Sequence, residues 1–181
     1  MPASSLLGGG VIGTSAAHHL ATAGRSDILV LERDRLTSGT TWHAVGLIAS
    51  SGMATETLAW VAKYTHELYQ GLEAETGIST GFRQCGRLNA ATTQARREAQ
   101  RREINFTRTL GMEKHEVSAA GVVRIFPLLD TTGVLSAIWT PMDGRVNPVD
   151  ETMSLATSAR KRGVRIVEGC PLTAEVVVLA G

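Results

Sequence analysis

The stretch Leu6-Leu7-Gly8-Gly9-Gly10-Val11-Ile12-Gly13 decides how the rest of the chain is read. Its glycines at 8, 10 and 13 give the pattern Gly-x-Gly-x-x-Gly. Between a strand and a helix each glycine has a separate duty. The first allows a tight turn, the second lets the backbone approach a pyrophosphate, and the third lets the helix pack on the strand. The helix N-terminus then offers free amides and the positive end of its dipole to phosphate. The surroundings supply that setting. Leu6-Leu7 reads as the end of a first strand. Val11, Ile12, Ala16, Ala17, Leu20 and Ala21 recur at helical spacing, and Gly24 is placed to cap the helix. Asp27-Ile28-Leu29-Val30-Leu31-Glu32 is a short apolar run closed by an acid, as in a buried parallel strand. Glu32 stands nineteen residues after Gly13. A carboxylate there accepts from the ribose hydroxyls and disfavours a 2′-phosphate. Strand, glycine turn, helix and strand form a βαβ unit that binds a dinucleotide. Ser4 and Ser5 occupy positions normally filled by apolar residues, so the first strand is expected to be stunted.

The 181 residues allow one domain with a real core. Lys and Arg number 18 against 17 Asp and Glu, a balance that points away from nucleic acid or an anionic membrane as partner. The longest apolar runs, such as 28–31 and 176–180, are too short to span a bilayer. Cys85 and Cys170 have no metal-ligand neighbour at short spacing and fit a reducing compartment.

The remaining chain alternates helix and strand, which supports an α/β class. Residues 35–52 read as a loop rich in Ser, Thr and Gly with room for a short helical turn. A helix is expected over 55–76 with Leu58, Val61, Leu68 and Leu72 on one side and Gly77 at its end. A strand follows over 81–90, then a charged helix over 92–110. Arg96, Arg97, Arg101, Arg102 and Arg108 on that helix, interleaved with Glu98 and Glu103, read as a solvated face rather than an anion site. Ser118 caps a short helix ending before Pro127, and 134–140 is a strand followed by a turn at Asp143-Gly144. Pro148 opens a helix to about Arg162, closed by Gly163. Short strands are expected at 164–168 and 175–180. Cys85 is read as core, and His18-His19 as surface or edge packing.

The run Glu32-Arg33-Asp34-Arg35-Leu36-Thr37-Ser38-Gly39-Thr40-Thr41-Trp42-His43-Ala44-Val45-Gly46-Leu47 resembles the N-terminal part of the dimethylglycine dehydrogenase and sarcosine dehydrogenase family. These are FAD-dependent amine oxidoreductases of the D-amino-acid-oxidase-like superfamily. The resemblance continues through Glu73-Ala74-Glu75-Thr76-Gly77, Gln84-Cys85-Gly86-Arg87-Leu88 and Pro141-Met142-Asp143-Gly144-Arg145-Val146-Asn147-Pro148, and covers residues 6 to 172. It implies a Rossmann-like FAD-binding domain with part of an antiparallel substrate domain. On this reading 6–50 is the βαβ unit and flavin loop, 80–145 a partial substrate-domain segment, and 146–181 the return to the FAD domain. The implied cofactor contacts are Gly8, Gly10, Val11, Ile12, Gly13, Glu32, Arg33, Gly39, Thr40, Thr41, Trp42, His43, Ala44, Gly46 and Leu47. His43 falls on the family's flavin-linking histidine, so the alternatives are a covalent flavin at His43 or a loop histidine packed against FAD. Trp42 shields the flavin or fills core.

The resemblance also implies the chemistry, removal of a hydride equivalent from the N-methyl group of a small secondary or tertiary amine. Relatives of full length use a folate or an electron-transfer partner. They occur in bacterial cytoplasm and in mitochondria. A cytoplasmic location is expected here, with the mitochondrial matrix as the alternative. Family members are several times longer, and the sheet meander between Thr173 and Ala174 is missing by comparison. The chain is therefore expected to be truncated, and an FAD-domain remnant without turnover stands beside the enzyme reading.

Overall fold

A computed structural model describes residues 4–50 and 55–171. In chain order its elements are β1 (Ser4–Leu7), α1 (Val11–Thr22), β2 (Ile28–Leu31), a 3-10 turn (Thr41–His43), β3 (Leu47–Ile48), α2 (Glu56–Thr76), β4 (Arg87–Ala91), α3 (Gln94–Thr109), β5 (His115–Val117), α4 (Ala119–Ile125), β6 (Ser136–Thr140), β7 (Gly144–Arg145), α5 (Pro148–Lys161) and β8 (Arg165–Val167). The expected strand at 175–180 and the junction between Thr173 and Ala174 lie outside the described residues. The described chain divides into two compact units. One holds 4–46, 68–82 and 146–171, and the other holds 47–50, 55–67 and 83–145.

The first unit is built on a parallel sheet in the order β1-β2-β8. β1 is not stunted: Ser4 pairs opposite Ile28 and Leu7 opposite Leu31 over four residues. The ladder needs only backbone groups, and the serines lie at its exposed end, where burial asks for nothing apolar. Helix α1 stops in a Schellman motif. The Gly24 amide donates to Ala21 and the Arg25 amide to Leu20, with Gly24 at φ +81°. Asn147 caps α5 by accepting from the Val149 and Asp150 amides, and Pro148 fills the first turn. α1 and α5 cover the sheet through Ala17, Ile28, Val30, Ala159 and Val164, all buried. Burying Ile28 and Val30 contributes roughly 1.5 to 3 kcal/mol each. The alanines let the helices approach closely.

Polar groups also join the helices of this unit. His18 is buried rather than at an edge. Its Nδ1 lies 2.7 Å from the Ser158 hydroxyl, which donates to Glu75, and Arg162 also donates to Glu75. Burial holds His18 below the usual imidazole range, while the Arg162 guanidinium holds the Glu75 carboxyl low. Glu151 is different. It is buried beside the Tyr69 hydroxyl, its Oε1 has no partner, and burial pushes its carboxyl upward. A carboxyl raised in the fold keeps its proton after the unfolded chain has released its own. Stability from this group is therefore full below about pH 4.5 and declines as pH rises through the folded value. Glu151→Gln is expected to remove that decline and to raise stability by roughly 1 kcal/mol at pH 9 while changing little at pH 4. Urea unfolding at the two pH values checks this, and equal changes at both would refute it.

The second unit holds an antiparallel sheet in the order β4-β6-β5 and a two-stranded pair, β3 with β7. Arg87 lies opposite Thr140 and His115 opposite Trp139. The strand expected over 81–90 begins only at Arg87. Gly86 has φ +71° and packs on the Trp139 ring, so the chain bends before the ladder starts. In α2, Leu58 and Val61 are exposed, not inward. The inner face of that stretch is Ala59, Ala62 and His66, and the alanines pack with Met112. Thr93 caps α3 and Ser118 caps α4. The arginine face of α3 is answered by another element: Arg97 and Arg101 each donate to Glu116 at 2.8 Å. Cys85 is exposed rather than core. The turn expected at Asp143-Gly144 falls instead at Pro141-Met142, and Asp143 is fully buried. No helix among the described residues is long and apolar enough to cross a membrane.

Candidate dinucleotide-binding site

The glycine turn, the end of β2 and the loop after it enclose a cavity of about 500 Å³ within the first unit. Gly8 leaves β1 with its amide donating to the Leu31 carbonyl at 2.9 Å and with φ +108°, a backbone open to glycine. Gly13 sits against the turn so closely that a Cβ there would meet the Gly8 carbonyl oxygen at 2.0 Å. The third glycine thus packs the helix on the turn itself. Gly10 is the N-cap of α1 and has no side chain to occupy the first amides.

Glu32 closes the cavity from β2. Its Oε2 accepts from the Gly9 amide at 2.6 Å and its Oε1 from the Asp34 amide at 2.9 Å. Each oxygen keeps lone-pair capacity beyond its one amide, which is what two neighbouring hydroxyls of a ribose need. Gly9 was not among the expected contacts, yet a Cβ there would meet Leu36 Cδ2 at 2.5 Å and the Glu32 Cβ at 3.0 Å. It stands in the variable place of the motif, and only its run of three glycines signalled it. The ends of β2 and β8 are stitched together as the Cys170 amide donates to the Glu32 carbonyl at 3.0 Å. That brings Cys170 and Pro171 to the cavity wall, with Leu7, Leu31, Asp34 and Ser38. The sequence carried no signal for Cys170, because its place depends on a strand far along the chain.

Of the expected cofactor residues, Gly8, Gly10, Val11, Ile12, Gly13, Glu32, Arg33, Gly39, Thr40 and Thr41 line this one cavity. Trp42, His43, Ala44 and Gly46 follow in the same unit without lining it, and Leu47 belongs to the other unit. Trp42 is 57% exposed, so it does not fill core. Its ring lies 3.8 Å from that of His43, tilted by 39°. Among the described residues no group of three or more His, Cys, Asp or Glu side chains could hold a metal ion. The site is suited to an uncharged-ribose dinucleotide: it has a carboxylate for hydroxyls, a glycine cradle for phosphate, and room for a large ligand.

A family model described as DAO, FAD dependent oxidoreductase, matches residues 7–180. Over 168 residues the chain is 37% identical to the mitochondrial dimethylglycine dehydrogenase of Rattus norvegicus, covering 93% of this chain and 20% of that protein. It is 34% identical over 168 residues to the mitochondrial sarcosine dehydrogenase of Homo sapiens, covering 93% and 18% respectively. The solved structure of L-proline dehydrogenase from P. horikoshii superposes with a TM-score of 0.84 at 28% identity, over 92% of this chain and 43% of that one. The chain spans about a fifth of the length of these curated relatives.

Proposed function

We propose that this chain, which belongs to the DAO family of FAD-dependent oxidoreductases, provides the FAD-binding part of an enzyme that oxidises the N-methyl group of a small secondary or tertiary amine. One observation carries the reading. The glycine turn, Glu32 and the 38–41 loop, which are separate in sequence, line a single cavity. The glycine turn would hold the pyrophosphate, Glu32 the ribose hydroxyls, and the Thr41–His43 turn the start of the flavin half. FAD supplies hydride acceptance when bound. The protein's own part is to bind, orient and shield it.

The identity of the amine rests on the dehydrogenases named above, which are similar to this chain at 34 and 37%. A dimethylglycine- or sarcosine-like substrate follows. The first unit is the FAD-binding element on this reading, and the antiparallel sheet of the second is the beginning of a substrate-binding domain. His43 is exposed at the end of its 3-10 turn and free of any buried packing duty. That freedom supports it as the attachment point of a covalent flavin.

The test starts with the purified chain and added FAD. Bound FAD, seen as a yellow protein after gel filtration, is expected. A chain that stays colourless refutes the cofactor reading. Acid precipitation then addresses His43. Colour is expected in the pellet for the wild type and in the supernatant for His43→Ala, and wild-type colour in the supernatant refutes the covalent link. Sarcosine and dimethylglycine offered with an artificial electron acceptor separate the amine dehydrogenase from a flavin-binding domain without turnover.

A further inference from the structure

We propose that Thr41 is a positioning residue, whose hydroxyl caps helix α1 from outside the helix and thereby ties the Thr41–Trp42–His43 turn to the dinucleotide cavity. This deepens the FAD reading and rests on it. Helix α1 has an unusual start. Its N-cap is Gly10, which has no side chain, and no side-chain bond comes from that position. The Val11 amide instead donates to Thr41 Oγ1 at 3.1 Å, across thirty residues of sequence. Thr41 is buried, and its carbonyl accepts from the Ala44 amide at 3.1 Å to close the 3-10 turn. One residue therefore both caps the phosphate-binding helix and opens the turn that presents Trp42 and His43.

Gly10 fits the same device. Its φ of −81° and ψ of −177° are extended backbone that any residue adopts, so conformation does not demand glycine. Space does. A Cβ at Gly10 would stand 3.0 Å from Thr41 Oγ1, closer than nearly all real Cβ contacts. The second glycine thus makes room for a hydroxyl of this chain as well as for a pyrophosphate. The capping bond also divides the site. Gly8 is held by its amide bond to Leu31 in β2, Glu32 by the Gly9 and Asp34 amides and by its own amide on Val167 in β8, and Gly13 by its packing on Gly8, and none of these involves Thr41. Trp42 and His43 follow Thr41 directly, in a turn closed by the Ala44 amide on the Thr41 carbonyl and the His43 amide on the Thr40 carbonyl. The Thr41 hydroxyl should govern the flavin half of the ligand and leave the nucleotide half alone.

The test compares FAD and ADP binding to the full chain by calorimetry in a His43→Ala background, which prevents a covalent link and serves as the reference in place of the wild type, with emission of the bound flavin as a second readout. Thr41→Val is expected to weaken FAD about fivefold, the size of one lost helix cap. ADP affinity should change less than twofold. Bound flavin should emit more strongly, because the neighbouring Trp42 ring quenches it less. Thr41→Ser, which keeps the hydroxyl, should restore all three. The proposal is overturned if Thr41→Val binds FAD like that reference, if ADP and FAD weaken alike, or if Thr41→Ser behaves as Thr41→Val. If Thr41→Val does not fold, amide exchange in the wild type decides. A protected Val11 amide supports the cap, and one exchanging at the open-chain rate overturns it. Wild type that binds ADP but no FAD strikes the FAD reading itself and is a separate outcome.

Discussion

Gly13→Ala is expected to lower stability by about 3 kcal/mol or more and to abolish FAD binding, although it adds one methyl group. The added Cβ would lie 2.0 Å from the Gly8 carbonyl oxygen and 3.1 Å from its carbon. Both partners are backbone, so no rotamer relieves the clash. The turn cannot retreat, because the Gly8 amide is bonded to Leu31 at 2.9 Å in the first sheet. The helix cannot retreat without breaking the Thr14 amide bond to the Gly10 carbonyl at 3.0 Å and its packing on α5. Either movement deforms the cradle that lines the cavity. Gly39→Ala is the control, since nothing lies within 4 Å of a Cβ there and its φ is not in the left-handed region. It should change stability by less than about 0.5 kcal/mol. Urea unfolding with an unchanged slope, together with an FAD titration, checks both. A Gly13→Ala chain with wild-type midpoint would show that the turn does not pack as described.

The first unit was the legible one, and the reason is local. The glycine spacing, the capping Gly24, the run 28–31 and Glu32 are close in sequence, and each dictates its own turn, cap or strand. Pro148 marks the start of α5 in the same way. The misreadings share another cause. Ser4 and Ser5 make β1 poor in apolar side chains, whereas a short ladder is held by backbone pairing that serine permits. Leu58 and Val61 mark one apolar side of α2, but the packing there selects Ala59 and Ala62, whose small size lets α2 come close to Met112. Only tertiary context makes that choice. The cavity followed the same rule. Its glycine and Glu32 walls could be read from spacing. Cys170 and Pro171 could not, since β8 carries them in from the far end of the described chain. Thr41 was legible as a candidate ligand, but its bond to Val11 was not, because a cap from thirty residues away leaves no local pattern.

Asp143→Ala is expected to destabilise the second unit by roughly 3 kcal/mol, and Asp143→Asn by about half as much. Asp-Gly invited the reading of a turn, yet the carboxylate is fully buried and acts as a hub. Its Oδ1 accepts from the Ser50 amide at 2.9 Å and from the Ser50 hydroxyl at 2.6 Å. Its Oδ2 stands 3.2 Å from Arg87 Nε, an ion pair whose alignment falls short of a hydrogen bond. The Ser50 carbonyl is held from another side by the buried Lys114 ammonium at 2.9 Å, which also pairs with Glu103 at 2.7 Å. Alanine would strand the Ser50 amide and leave the guanidinium without its counter-charge. Arg87 keeps about a quarter of its side chain exposed, so water recovers part of that loss and the cost falls at the low end for a broken buried pair. Asparagine keeps an oxygen for Ser50 and loses only the charge, which sets the expected order. Arg87→Leu should then cost less in the Asp143→Ala background than alone, because the unpaired cation is gone. A double-mutant cycle measured by urea unfolding reads that coupling. Additive effects would mean that the ion pair with Arg87 contributes nothing to the fold.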